Sequence, residues 1–261
     1  MDILVCIKQV PATNEVEIDQ ATGALKRDGA AAKVNPYDLY ALEMAFSLRE
    51  RYGGKVDVLT MGPLQAKAAL LEALHMGADN AVLLSDRSFA GADVVATSLT
   101  LAAGVRKMGR YDLILCGKQT TDGDTAQVGP EMAEHLNLEH ACYVLDAYQA
   151  EEGLVVRMNL GHAVQTQVMP LPCLLTIEKD VNTPRLPSYK RSLQVGREQI
   201  KEYGLKDFEE NDARIYGLSG SPTQVEQIFP PEKSGARRLR RGGAEALAQA
   251  AFELLKTEKF I

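Results

Sequence analysis

The chain has 261 residues, 46% of them hydrophobic and 25% charged, with a formal net charge of −6. That apolar content suffices for a buried core in one large domain, or in a domain with a substantial appendage, and excludes disorder throughout. The acidic balance excludes nucleic acid as the main partner, because holding a phosphate backbone needs a clear basic excess.

Ile3 to Ile7 is a continuous apolar run of strand length, the pattern of a strand covered on both faces, and is expected at the centre of a sheet. The polar stretch from Glu15 to Lys33, with turn signals at Asp19 to Gly23 and at Asp28-Gly29, reads as a small hairpin folded over the sheet end. Asn35-Pro36 then opens a helix, with Asn35 as N-cap and Pro36 at the first helical position, followed by the stripe Leu39, Leu42, Ala45, Phe46 and Leu48. A second strand runs from Lys55 to Met61, and Gly62-Pro63 leads into a helix carrying Ala66, Leu70, Leu71 and Leu74.

The alternation continues with a strand over Asn80 to Leu84, a long helix from about Ala92 to Met108, a strand over Asp112 to Cys116, and a helix starting near Asp124. Strands alternating with helices through short connections predict an α/β fold with a doubly wound, mostly parallel sheet. Beyond Leu138 come four strand-like runs, Ala141 to Tyr148, Leu154 to Asn159, Ala163 to Met169 and Cys173 to Ile177. No long helix separates them, so they are expected to pair antiparallel and to extend or flank the sheet.

From Asp180 regular period is lost until an amphipathic helix over Gly243 to Lys256, a stretch too long for an ordinary loop. This predicts a domain over residues 1–180 and an extended C-terminal arm over 181–261 whose contacts lie on another subunit. The basic run Arg237-Arg238-Leu239-Arg240-Arg241 is a solvated segment before that helix, or a site for acidic groups of a partner.

The cysteines, Cys6, Cys116, Cys142 and Cys173, lack CxxC spacing and read as reduced core residues. The histidines show no metal-ligand spacing, and no metal is expected. No run approaches the roughly 20 apolar residues that span a bilayer, and Asp2 and Lys8 interrupt a signal-peptide reading. A cytoplasmic protein without a membrane span is therefore expected.

In open parallel sheets ligands bind beyond the carboxyl ends of the strands. Three such places stand out: Asn35 to Asp38, Met61 to Pro63, and the loop from Cys116 to Pro130. The last is rich in small residues, hydroxyls and amides and runs into a helix start, where free N–H groups and the helix dipole favour phosphate. Gly117 and Gly123 let the backbone approach closely, and Thr121, Thr125 and Gln127 can donate further hydrogen bonds. Asp124 is placed to cap the helix, and Asp122 to accept from ribose hydroxyls or from a backbone turn. The same residues also suit an ordinary capped turn, and the loop is neither a P-loop nor a GxGxxG fingerprint.

Taken together, Val5-Cys6-Ile7-Lys8-Gln9-Val10, Lys33-Val34-Asn35-Pro36-Tyr37-Asp38, Met76-Gly77-Ala78-Asp79 and Gly117 to Pro130 resemble the electron transfer flavoprotein beta subunit. The resemblance includes Pro184 to Arg191 and extends over essentially the whole length. It implies a heterodimer with an alpha subunit, which the C-terminal arm embraces.

The resemblance also implies an adenine nucleotide against Cys6, Asn35, Pro36, Tyr37, Asp38 and Met61. Within the loop it implicates Gly117, Lys118, Gln119, Thr120, Thr121, Asp122, Gly123, Asp124, Thr125, Ala126, Gln127 and Val128. The nucleotide is AMP in the ordinary branch of the family and FAD in the electron-bifurcating branch. Gly123 and Thr125 spell the loop in the bifurcating manner, with room and donors for a second phosphate.

With FAD bound, the resemblance implies hydride uptake from NADH. One electron would then pass to the alpha-subunit FAD and the other to ferredoxin or flavodoxin, with no catalytic acid, base or nucleophile in this chain. Pro184-Arg185-Leu186-Pro187 resembles the loop by which the family docks on acyl-CoA dehydrogenases or related flavin dehydrogenases. Leu186 and Pro187 would form the apolar anchor, and Lys190 and Arg191 would add steering charge. Read without the resemblance, the same residues make a proline-fixed turn. A reading from another class is an adenine-nucleotide-binding regulatory module on the same scaffold.

Overall fold

In a computed structural model, which describes residues 1–12, 32–225 and 239–260, the first strand, β1 (Ile3–Cys6), is buried along its whole length. Ile3 and Val5 face one core and Leu4 and Cys6 the other, as expected of a strand covered on both sides. In chain order there follow β2 (Gln9–Pro11), β3 (Ala32–Val34), α1 (Pro36–Tyr52), β4 (Val56–Met61), α2 (Lys67–Met76), β5 (Asn80–Leu84), α3 (Val94–Met108) and β6 (Leu113–Gly117). Then come α4 (Val128–Leu136), β7 (Glu139–Ala150), β8 (Gly153–Asn159), β9 (Val164–Met169), β10 (Cys173–Ile177), α5 (Tyr189–Ser192), β11 (Ile200–Tyr203) and α6 (Ala244–Thr257).

The main sheet has nine strands in the order β11-β5-β4-β1-β6-β10-β7-β8-β9. Every pairing from β11 to β7 is parallel, and β8 and β9 are added antiparallel. Helices α1 and α2 cover one face through Leu42, Phe46, Leu70 and Leu74. The other face is covered by α3 and α4 through Leu101, Val105 and Met132. Each of these large apolar side chains contributes about 1.5–3 kcal/mol by leaving water. This is the doubly wound arrangement predicted from the alternating elements.

Two expectations are corrected. Cys173–Ile177 does not pair antiparallel: β10 lies between β6 and β7 and is parallel to both. All five of its residues are buried, which suits an interior strand flanked by parallel neighbours. The stretch beyond Asp180 is also less irregular than expected, because Ile200–Tyr203 forms an edge strand parallel to β5. Phe208 and Tyr216 pack with Phe89 at ring separations of 5.5 and 5.6 Å and with each other at 5.8 Å, joining the following loops to the core.

The chain accordingly divides into one unit over Met1–Glu226 and a second over Gln227–Ile261, beyond the boundary expected at 180. The hairpin predicted over Glu15 to Lys33 falls mostly outside the described residues; at its two ends, β2 and β3 pair antiparallel. Arg237 and Arg238 of the basic run also lie outside the described residues. Within the second unit, α6 carries Leu247, Leu254 and Leu255 along one exposed apolar stripe.

Candidate functional site

The carboxyl ends of β4, β1 and β6 lie side by side, with Cys6 opposite Cys116 in register. Both cysteines are buried and free, and the hydrogen bond with the Cys6 thiol, together with burial, pushes the Cys116 thiol well up. Met61, partly buried, ends the neighbouring strand. These positions form the floor beneath the loop after β6.

Asn35 joins that loop to the first turn of α1. It occupies the expected N-cap position, with Pro36 following at the first helical position, but its side chain does not cap. The N–H of Asp38 is already taken by the Asn35 carbonyl at 3.0 Å. The buried carboxamide instead donates to the Gln119 carbonyl at 2.8 Å and to Asp38 Oδ1 at 2.9 Å, and accepts from the Thr121 N–H at 3.3 Å. Asp38 also accepts from the Lys8 N–H at 2.7 Å. Burial pushes its carboxyl up to about 7, against the opposing pull of donors from Asn35, Lys8 and Gly117.

Gly117 is required here by space. A Cβ on it would stand 2.3 Å from Asp38 Oδ1 and 2.7 Å from the Tyr37 carbonyl carbon. The adjoining Lys118 turns toward the β10 side, where its ammonium meets Glu178 at 3.0 and 3.2 Å and lies 4.9 Å from the Tyr143 ring centroid. Thr120 shapes the turn, its carbonyl accepting from the Asp124 N–H at 3.1 Å and its hydroxyl from the Gly123 N–H at 3.3 Å. The Gln119 carboxamide donates to the Asp124 carboxylate.

Against the upward push of partial desolvation, Asp122 accepts from Lys8 Nζ at 2.8 Å on both of its oxygens, an ion pair that holds its carboxyl below the usual carboxylate range. It therefore meets a lysine in this structure, where the sequence suggested a ribose or a backbone turn.

The helix begins at Val128, four residues later than expected, and Asp124 is not its cap. Asp124 and Ala126 both have φ of 55°, a left-handed conformation that interrupts helix propagation. Gln127 stands at the N-cap position without a side-chain cap bond. Among the described residues, no group accepts from the N–H of Thr125, Ala126, Gln127, Val128 or Gly129. Free donors at and just before a helix start, with the positive end of its dipole, are of the kind that can receive an anion. The two acidic groups of this loop are each occupied, by Lys8 and by Gln119. The arrangement therefore fits a nucleotide phosphate resting on backbone N–H groups over the strand ends.

The structure thus joins Asn35, Asp38, Gly117, Gln119, Thr121 and Asp122 in one bonded cluster, with Cys6 and Met61 at neighbouring strand ends. Tyr37 and Pro36 belong to the same helical turn, and Thr125 and Gln127 are exposed on the loop. Lys8 was not predicted as a site residue, although its place two residues beyond the first strand puts it at the carboxyl edge. Tyr143 and Glu178 were also missed. Tyr143 has φ of 57°, unusual for an aromatic residue, and its N–H donates to Thr176 Oγ1 at 3.2 Å; no local sequence signal announces this.

Leu186, Pro187, Lys190 and Arg191 do not join this cluster. Their segment is fastened to α1 and to the end of α2, with Leu186 86% exposed. Arg191 departs from the expected steering role: its guanidinium donates to the carbonyls of Leu74 and Ala78. Among the described residues no three His, Cys, Asp or Glu side chains converge as metal ligands would, and no helix is long and apolar enough to cross a membrane.

The Electron transfer flavoprotein domain matches residues 22–207 of the chain. An "Electron transfer flavoprotein subunit beta" of Clostridium acetobutylicum is 42% identical over 261 residues, covering 100% of both chains. The "Caffeyl-CoA reductase-Etf complex subunit CarD" of Acetobacterium woodii is also 42% identical, again over 100% of each. "Protein FixA" of Bradyrhizobium diazoefficiens is 40% identical over 98% of this chain and 91% of its own.

Proposed function

The chain belongs to the electron transfer flavoprotein family as a beta subunit, and from that premise we propose that the loop after β6 holds FAD in a bifurcating heterodimer. The observation carrying the proposal is the run of five backbone N–H groups, Thr125 to Gly129, without acceptors among the described residues at the start of α4. Such a run can serve more than one phosphate oxygen at once. FAD, when bound, supplies the electron chemistry; this chain binds the nucleotide and fixes its position.

In this reading Asn35 and Asp38 hold the loop at its working height over the strand ends. Lys8 neutralises Asp122 beside the phosphates, and Gly123 and Thr125 leave room and a donor for a second phosphate. FAD held by these residues would supply the chemistry for taking hydride from NADH and for dividing its electrons between the alpha-subunit FAD and ferredoxin or flavodoxin. The heterodimer serves an acyl-CoA dehydrogenase or related flavin dehydrogenase in the cytoplasm. Similarity to a subunit of a caffeyl-CoA reductase-Etf complex supports a CoA-linked partner. Leu186 and Pro187 dock on that partner with Lys190 as steering charge, and the exposed stripe of α6, with the basic run before it, meets the alpha subunit.

A second reading, a conventional carrier with AMP in this loop, is favoured by one observation. Two carboxylates, Asp122 and Asp124, stand in a loop that would otherwise carry two phosphates, and a monophosphate tolerates them more readily. Denaturing the purified heterodimer and quantifying its released nucleotides separates the readings. Two flavins per heterodimer are expected; one flavin with one AMP would replace the FAD proposal by the conventional one. A colourless, stable monomer would favour the nucleotide-binding regulatory module.

A further inference from the structure

The segment carrying Leu186 is built more firmly than a loop with one exposed leucine needs to be. Arg185 forks onto Glu43 of α1, with Nε and Nη2 each 2.9 Å from a carboxylate oxygen, and its backbone N–H reaches the same carboxylate at 2.9 Å. Its Nη1 donates to Glu50 at 2.6 Å, and the guanidinium lies 4.8 Å from the Phe46 ring centroid. A planar fork that also stacks is a role lysine cannot fill.

A second fastener follows within one helical turn. The Ser188 N–H donates to the His75 carbonyl at 2.9 Å, and its hydroxyl caps α5 by accepting from the Arg191 N–H at 3.4 Å. Arg191 donates from Nε to the Leu74 carbonyl at 2.7 Å and from Nη2 to the Ala78 carbonyl at 2.6 Å. It thereby ties the segment to two carbonyls at and just beyond the end of α2, sharing that of Leu74 with the Gly77 N–H.

Both arginine charges are thus turned inward. Leu186, Tyr189 and Leu193 are instead 86%, 78% and 70% exposed. Tyr189 and Leu193 are four residues apart, and Leu193 keeps helical dihedrals at the end of α5, so the two share a face. Scattered exposed apolar residues need no explanation, but three of them within eight residues of a doubly fastened segment do.

We infer that Arg185 and Arg191 are positioning residues that hold residues 184–193 as a preformed docking face, on which Tyr189 and Leu193 join Leu186 against an apolar pocket of the flavin dehydrogenase. This rests on the reading of Leu186 as a docking residue. Prior fastening lowers the ordering cost of association and so acts on the encounter rather than on the electron-transfer step.

The test uses the heterodimer with an acyl-CoA dehydrogenase as varied partner. Arg185→Gln is expected to raise the KM for the dehydrogenase about tenfold with kcat within about twofold, a loss typical of a charge-assisted fork. Amide exchange over residues 184–193 should quicken in parallel. Glu43→Gln, which leaves the segment's own sequence intact and replaces the first variant should that fail to fold, is expected to act in the same direction. Arg185→Lys should recover part of the effect. Tyr189→Ala and Leu193→Ala should each raise KM about threefold or more, as apolar contacts near a hot spot do.

A KM unchanged in Arg185→Gln and Glu43→Gln, while Leu186→Ala raises it, overturns this inference and leaves the docking reading standing. A KM unchanged in Leu186→Ala as well overturns both.

Discussion

Lys8 Nζ lies 2.8 Å from both carboxylate oxygens of Asp122, so the second residue beyond the first strand is tied to the tip of the loop following the sixth. The Lys8 side chain is 44% exposed and that of Asp122 28%, so solvent and salt screen the pair. Its effect on global stability is expected to be under about 1 kcal/mol. Its effect on the nucleotide should be larger, because removing the ammonium leaves a bare carboxylate beside the phosphate donors. Lys8→Gln is predicted to weaken FAD binding by the heterodimer about tenfold, with the melting temperature almost unchanged. Asp122→Asn, which removes the repulsive charge together with the pair, should weaken it less. Flavin titration of the stripped heterodimer measures both; an equal loss in the two variants would show that the pair acts by shaping the loop and not by charge.

Asp38 makes stability depend on pH in a definite direction. Its folded-state carboxyl titrates at about 7 rather than 3.8, chiefly through burial. Between those values the folded chain holds a proton that the unfolded chain has released, so this group's contribution to stability declines as pH rises from about 4 to about 7 and is flat above. Asp38→Asn removes the titration. It also places an amide among the N–H donors of Asn35 and Lys8, which adds a constant offset. Denaturant titrations from pH 5 to pH 8 should therefore show the stability difference drifting toward the Asn variant by about 1 kcal/mol per pH unit up to neutrality. A difference that stays constant across that range would mean that the surrounding donors keep Asp38 ionised throughout.

Most of the scaffold was legible in the sequence because burial on both faces leaves continuous apolar runs, as in Ile3 to Ile7. The same rule would have assigned Cys173–Ile177 to a parallel interior position, but the absence of a helix before it favoured an antiparallel reading. The edge strand Ile200–Tyr203 is hidden for another reason: it has only four residues, and the adjacent charges Lys201 and Glu202 at its centre break any apolar run or alternation. At the site, the loop's residue types suggest a phosphate cradle, while its internal geometry leaves no mark in the sequence. Aspartate is compatible with an N-cap and with a left-handed turn, and only the backbone distinguishes them at Asp124, with φ of 55°. Asn35 was placed correctly in the chain and assigned the wrong bonds, since a cap and a long-range clasp call for the same side chain.

Two glycines of the loop separate the needs of the fold from those of the ligand. At Gly117 an added Cβ would lie 2.3 Å from Asp38 Oδ1, 2.7 Å from the Tyr37 carbonyl carbon and 2.8 Å from the Asp38 nitrogen. Two of those atoms are backbone in the first turn of α1, so no side-chain rotation relieves the contact. Gly117→Ala is expected to cost about 1–3 kcal/mol in chemical denaturation and to lower flavin content through displacement of the Asn35 clasp. At Gly123 an added Cβ would have Thr120 Oγ1 at 3.4 Å as its nearest neighbour, an ordinary contact, and the backbone is not left-handed there. Gly123→Ala should change stability by less than about 0.5 kcal/mol. If Gly123 is small so that a second phosphate can approach, the same substitution should weaken FAD binding several-fold while sparing AMP. Parallel titrations with FAD and AMP decide this; equal losses for both ligands would show that Gly123 does not distinguish a diphosphate from a monophosphate.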